Sequence, residues 1–221
     1  MTGTHVQLQS FPQPVDAVVF GAGGGIGHAL VEALAADPGV ASVTAVARRP
    51  LQWTHAKVRP LVADLLDEAS VAAAAAGCRD GAPRLVLVAT GVLHGPDGLR
   101  PEKALQDIDP ASFARVFAIN ATGPALVLKH FAPLLPRAGK SVIAALSARV
   151  GSISDNRLGG WYAYRASKAA LNQIVRTASI EVARRWREAC VIGLHPGTVE
   201  TGLAEPFHGN VPSGKLFSPQ N

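Results

Sequence analysis

Tyr164 and Lys168 stand four residues apart in YRASK, at the start of an Ala-rich stretch with helical spacing. Residues i and i+4 lie on one helix face. A free phenol titrates near ~10, too high for efficient proton exchange at neutral pH, and a nearby ammonium lowers that value by favouring the phenolate. The pair therefore has the makings of a general acid/base. Tyr162 competes for the part, but its i+4 residue is Ala166 and it lies on a different face. Alone, a Tyr and a Lys at this spacing are common surface decoration, so the reading depends on the rest of the chain.

A second grouping suits an anion. The apolar run VDAVVF (15–20) ends in GAGGGIG, and Ile26, Leu30, Val31 and Leu34 at once follow with helical spacing. Glycines permit a tight turn and a close approach of backbone to a pyrophosphate. The N–H groups and dipole of the following helix attract the anion. Between a strand and a helix, the string reads as a dinucleotide-binding turn. Its spacing is GxxxGxG over Gly21, Gly25 and Gly27 rather than GxGxxG, and a purely structural turn is the alternative.

The next strand ends in VTAVARRP. A carboxylate there would accept the ribose hydroxyls of NAD, whereas arginine accommodates the 2′-phosphate of NADP. Ala47 holds the position, and Arg48 and Arg49 follow. Guanidinium groups bind phosphate well, so NADP(H) is favoured and NAD(H) stays open. The alternative is that both arginines merely solvate a loop. Asp64, at the end of the third strand, is placed to hydrogen-bond an adenine amino group; as a helix N-cap, Asp67 fits better than Asp64.

These groups need a frame. Strands are expected at 15–20, 42–47, 58–65, 84–90, 140–146 and 190–195, and helices at 26–36, 67–77, 110–135 and 160–188. RLVLVAT is continuously apolar, as in a parallel strand covered on both faces. Pro110 suits the first turn of the long helix, and Gly123-Pro124 is a candidate bend. Strand and helix alternate throughout. That predicts an α/β chain with a three-layer, doubly wound parallel sheet, the Rossmann fold, in a single domain. Its core covers about 15–201, and the Pro/Gly-rich tail 205–221 reads as loop.

Six features occur in one order: the glycine spacing, VATG (88–91), Asn120 in INATG, Ser147 after the fifth strand, Tyr164-xxx-Lys168, and HPGTVET (195–201). Together they resemble the short-chain dehydrogenase/reductase family over most of the chain. SARVGSISDNRLGGWYAYRASKAALN looks like the branch of C-factor-like and sniffer-like carbonyl reductases. The resemblance implies that Gly21, Gly25, Ile26 and Gly27 cradle the pyrophosphate. Asp64 and Leu65 would flank the adenine, and Ala89, Thr90 and Gly91 would line the adenosine side. Lys168 would hold the nicotinamide ribose. The segment with Pro196, Gly197, Thr198, Val199 and Thr201 would meet the nicotinamide amide and the diphosphate. Tyr164 would be the acid/base, Ser147 would polarise a carbonyl, and Asn120 would order a water in the proton relay. The implied reaction interconverts a carbonyl and an alcohol, and a homodimer through the helices at 110–135 and 160–188 is compatible with it.

Two positions depart from the pattern. Related sequences place the serine three residues before a glycine; here Ala148 stands there before Gly151, and Ser147 is one earlier. In a strand, a one-residue shift turns a side chain to the opposite face, and a bulge restores the aim. Ser152 and Ser154 are substitutes nearby. Relatives also continue through another helix and a further strand, for which NVPSGKLFSPQN offers no candidate, so the sheet is expected to lack its usual C-terminal strand.

The remaining composition narrows the function classes. Hydrophobic residues make up 48% and charged residues 17% of 221, as in a globular protein. The net charge of +5 is scattered, with no long basic block or interleaved aromatics, which argues against nucleic acid. No run approaches the ~18 apolar residues of a membrane span. Two cysteines, Cys78 and Cys190, and an N-terminus without a basic n-region fit the cytoplasm. His94 and His195 show no metal-ligand spacing, and no metal is expected. Leu93, His94, Trp161, Leu203 and Phe207 are candidates for an apolar substrate pocket, or simply for loop packing. The serine register, the short C-terminus and the C-factor resemblance leave a second reading, a non-catalytic dinucleotide-binding signalling or interaction protein.

Overall fold

Alternate residues of VDAVVF face opposite ways, and apart from Asp16 at its start both directions are apolar, so the strand must be covered on both sides. The computed structural model, which describes residues 7–203, 205–206, 214 and 216–220, shows both covers. Strand β1 (Val15–Phe20) is followed by helix α1 (Gly25–Ala36), β2 (Val40–Ala47), β3 (Val58–Val62), α2 (Glu68–Gly77) and β4 (Leu85–Val88). Then come α3 (Pro110–Phe117), α4 (Gly123–Phe131), β5 (Ser141–Leu146), α5 (Tyr162–Arg185) and β6 (Ala189–Leu194). Val15, Ala17 and Val19 pack with Val31, Leu34 and Ala35 of α1. Val18 and Phe20 face the other layer, with Val71 of α2, Phe131 of α4 and Leu171 of α5. Phe20 and Phe131 meet edge to face at 5.2 Å. Phe131 is fully buried, and truncating it to Ala would cost about 3–5 kcal/mol.

The main sheet is parallel with order β3-β2-β1-β4-β5-β6. The direction of winding reverses between β1 and β4, and a crevice opens there outside the carboxyl ends of the strands. This is the expected doubly wound Rossmann sheet. Among the described residues it has six strands, without a further C-terminal one.

Three expectations need correction. The run 110–135 is not one bent α-helix. A π-helical turn, Ala118–Thr122, separates α3 from α4, and the Gly123 N–H reaches back five residues to Ala118 O. Pro124 has no N–H to give the carbonyl four residues back, Asn120, so widening the turn removes a clash as well as a bond. By length and composition Pro110–Leu134 would also pass as a membrane span, yet its buried face, including Val127, Leu128 and Phe131, lies against the sheet. Lastly, the tail is not wholly loop: β7 (Thr198–Val199) pairs in parallel with β8 (Leu216–Phe217), outside the main sheet. The Glu200 N–H donates to Phe217 O at 2.8 Å, and a Cβ on Gly197 would lie 2.8 Å from the Phe217 ring.

Candidate active site

The sequence pair lies in the first two turns of α5, against the end of β5. Tyr164 is 8% and Lys168 3% exposed. The Lys168 Nζ donates to Leu146 O at 2.7 Å and lies 5.8 Å from the centre of the Tyr164 ring. The turn Arg149–Gly151 packs on the same helix face; a Cβ on Gly151 would fall 2.8 Å from the Lys168 carbonyl carbon. Burial pushes the Tyr164 phenol up to about 12 and pulls the Lys168 ammonium down to about 8. The expected lowering of the phenol by its neighbour is therefore reversed. Desolvation penalises both charges, and the ammonium spends its hydrogen bond on a backbone carbonyl. At neutral pH the phenol keeps its proton.

Asn120 is completely buried in the π-helical turn. Its Oδ1 accepts from Val92 N at 2.8 Å, and its Nδ2 donates to Val92 O at 2.9 Å and Ser167 Oγ at 3.2 Å. Ser167 Oγ in turn donates to Tyr164 O at 2.8 Å. The side chain thus ties the segment after β4 to the first turns of α5. Its own main-chain carbonyl lacks an α-helical donor because residue 124 is proline.

Ser147 is half-buried just past β5, and its Oγ donates to Asn172 Oδ1 at 2.6 Å. Among the described residues no hydrogen bond joins it to Tyr164. Ala148 follows in extended backbone, with φ −149° and ψ 149°. Both line a cavity of about 220 Å³ together with Ser152, Asn172, Gly193 and His195. The His195 ring is held below its ordinary value by burial and by the Arg149 charge.

The glycine turn expected to hold an anion lies at the same edge of the sheet. Gly21 takes a left-handed φ of +83°, and a Cβ on it would lie 2.8 Å from Ala89 O. A Cβ on Gly27 would be 2.1 Å from Gly21 O, so only glycine lets α1 start this close to the turn. Gly24 caps α1 without a side-chain acceptor, which leaves the first N–H groups available to an anion. A Cβ on Gly25 would sit 2.7 Å from the Thr201 methyl and 3.8 Å from Pro219. The Thr90 hydroxyl beside Gly21 is buried without a partner. An open glycine cradle and an orphaned hydroxyl at one strand crevice fit a dinucleotide.

The other expected cofactor residues reach this edge with different environments. Arg48 and Arg49 are exposed beyond β2. Asp64 is half-buried past β3 and accepts from Leu66 N at 3.0 Å, while Asp67 caps α2 through Ala69 N, as its position suggested. Leu65 is buried in the larger apolar cluster, close enough that a Cβ on Gly123 would lie 2.9 Å away. A Cβ on Gly91 would lie 3.6 Å from Asn120 Oδ1 and 3.7 Å from Lys168 Nζ, which places the end of VATG beside the Tyr164–Lys168 pair. Ile26, Ala89, Pro196, Gly197 and Thr198 are half-buried, and Val199 is buried. Of the pocket candidates, Leu93 is buried, His94 meets Gly202 O at 2.9 Å, and Trp161 lies edge-on to Tyr164; Phe207 is outside the described residues. Sequence reasoning missed Ser167 and Asn172. Asn172 was within reach, since Tyr164, Lys168 and Asn172 continue one i+4 series.

Residues 16–210 match the short chain dehydrogenase family. The chain is similar to the C-signal protein of Myxococcus xanthus, with 43% identity over 103 residues, covering 47% of this chain and 61% of C-signal's length. It is also similar to the galactitol 2-dehydrogenase (L-tagatose-forming) of Cereibacter sphaeroides, with 32% identity over 193 residues, 85% of this chain and 72% of that one. Its fold matches that of the NADPH-bound carbonyl reductase from chicken fatty liver with a TM-score of 0.79 and 25% identity, covering 96% and 85% of the two chains. A parallel sheet with a glycine cradle at its switch point, and a Tyr–Lys pair aligned beside it, agree with these likenesses: the chain belongs to the short-chain dehydrogenase/reductase family.

Proposed function

We propose that this chain is an NADP(H)-dependent oxidoreductase that interconverts a carbonyl and a secondary alcohol, with Tyr164 as the acid/base. The observation that carries the reading is the buried Tyr164–Lys168 pair, beside Gly91 and the glycine cradle. The dinucleotide, when bound, supplies or accepts the hydride. Gly21, Gly25, Ile26 and Gly27 would hold its diphosphate, and Arg48, with Arg49, the 2′-phosphate. Thr90 would offer its free hydroxyl. Tyr164 gives its proton to the carbonyl oxygen as that oxygen gains charge, and takes it back in the alcohol-to-carbonyl direction. Lys168, when protonated, stabilises the phenolate left behind and holds the ribose. The Asn120 carbonyl, which Pro124 cannot serve as an α-helical donor, would accept from a water that resupplies the proton. An NADPH-bound carbonyl reductase among the structural likenesses supports the cofactor and substrate class.

A homodimer through the outer faces of α4 and α5, where Ile180 is exposed, and a cytoplasmic setting for two free cysteines complete the reading. The non-catalytic alternative is favoured by one observation, the commitment of Ser147 to Asn172 with alanine in the next position. The test is calorimetry of NADPH and NADH side by side, then a carbonyl screen with Tyr164→Phe. NADPH is expected to bind tighter, and Arg48→Ala to weaken it about tenfold. Tyr164→Phe should lower turnover about 100-fold or more while leaving NADPH bound. A variant that turns over normally refutes the acid/base role; binding without turnover of any carbonyl supports the alternative.

A further inference from the structure

Glu102 lies in the segment between β4 and α3, yet only 6% of its surface is exposed. Buried carboxylates are uncommon unless paired. Among the described residues no cation forms an ion pair with it. Its carboxylate oxygens instead accept from Ala163 N at 3.2 and 3.4 Å. Its main-chain carbonyl accepts from Trp161 N at 2.6 Å. These N–H groups belong to the N-cap and the second residue of α5. A helix leaves its first four N–H groups without internal partners, and a side chain at the cap usually takes one. Trp161 has no side-chain acceptor, so Glu102 supplies it from a distant segment, with its charge at the positive end of the helix dipole.

The turn that Glu102 holds is strained. Gly159, Gly160 and Trp161 follow one another in the left-handed region, with φ of +65°, +63° and +54°. A bulky residue stays there only when its surroundings over-determine it. Glu102 O lies 3.3 Å from where a Cβ on Gly160 would be, and Arg165 Nε donates to Gly159 O and Gly160 O at 3.2 and 3.0 Å. The Trp161 ring lies edge-on to that of Tyr164 at 6.2 Å. Tyr164 is the third residue of α5, inside the turn that Glu102 caps; Lys168 is one turn deeper and anchored on Leu146.

We propose that Glu102 is a positioning residue for the reaction: by capping α5 from outside and pinning the turn 159–161, it holds Tyr164 in register with Lys168. The inference rests on the acid/base reading of Tyr164. A loosened first turn moves the phenol but leaves the lysine and the glycine cradle in place. Proton transfer should suffer, and dinucleotide affinity should not.

The experiment compares Glu102→Gln, Glu102→Asp and Tyr164→Phe in the full chain, by NADPH calorimetry and by kcat with its solvent isotope effect. Glutamine keeps an oxygen that reaches Ala163 N; aspartate keeps the charge but stops one methylene short. Glu102→Gln is expected to retain kcat within about threefold, and Glu102→Asp to lose about tenfold or more with a larger isotope effect, both binding NADPH within about twofold of wild type. A carboxylate needed only for its charge or for folding would reverse that order or leave the isotope effect unchanged, and either result overturns the inference. If Tyr164→Phe turns over normally, the acid/base reading itself fails. If Tyr164→Phe is inactive while Glu102→Asp matches wild type, only the role of Glu102 fails.

Discussion

Lys168→Met is the substitution whose effect can be worked furthest from the structure. The side chain is 3% exposed, and burial alone lowers it from 10.5 to about 8. At 1.36 kcal/mol per pH unit, that gap of about 2.5 corresponds to about 3 kcal/mol spent on keeping an ammonium out of water. Below about pH 8 the folded and unfolded chains both carry the proton, and the cost is borne in full. Between about pH 8 and 10.5 the unfolded chain keeps its proton while the folded chain has lost it, so stability rises with pH. From about pH 7 to about pH 9.5 the wild type should gain about 2 kcal/mol from this group. Methionine keeps the length and removes the charge; it also strands Leu146 O, at about 1–3 kcal/mol. Near neutral pH the two effects roughly cancel, so the diagnostic is the difference between the proteins at the two pH values. Urea unfolding followed by tryptophan fluorescence measures it directly. If the difference between wild type and variant does not change between those pH values, Lys168 is not held desolvated, and the reasoning is refuted.

The remaining predictions address the cradle, the tail and the serine register. Gly27→Ala places a methyl 2.1 Å from a backbone oxygen that cannot rotate away, so stability should fall by about 3 kcal/mol and NADPH binding should be lost; a folded variant that still binds rejects the cradle. Phe217→Ala removes the ring packed on Gly197 and loosens β8, whose following Pro219 approaches Gly25. Stopped-flow release of NADPH should accelerate about fivefold, and an unchanged rate would remove the tail from the cofactor site. Ala148→Ser adds a hydroxyl not committed to Asn172, and kcat should rise about tenfold while Ser147→Ala changes it little; the opposite pattern would put Ser147 in catalytic register.

How far the sequence could be read depended on which atoms carry each contact. The frame was legible because burial on two faces writes itself into side chains: LVLV of β4 is buried at every position, and GAGGGIG marks a turn where a Cβ would strike backbone. Side-chain pairs on one helix were legible by spacing, as with Tyr164 and Lys168. Spacing says nothing of depth, however, and depth reversed the expected direction for the phenol. The π-helical turn at Asn120 hid inside a stretch with continuous helical character; its trace is the proline four residues on. β8 is two residues long, too short for any period, and is defined by tertiary pairing with β7. The contacts that organise the site mostly end on main chain: Lys168 on Leu146 O, Asn120 on Val92 N and O, Ser167 on Tyr164 O, and Glu102 on Ala163 N. Every non-proline residue carries the same peptide N–H and C=O, so no residue type marks where such a bond will land. A motif therefore names the side chain that acts, and only the fold supplies the backbone that aims it.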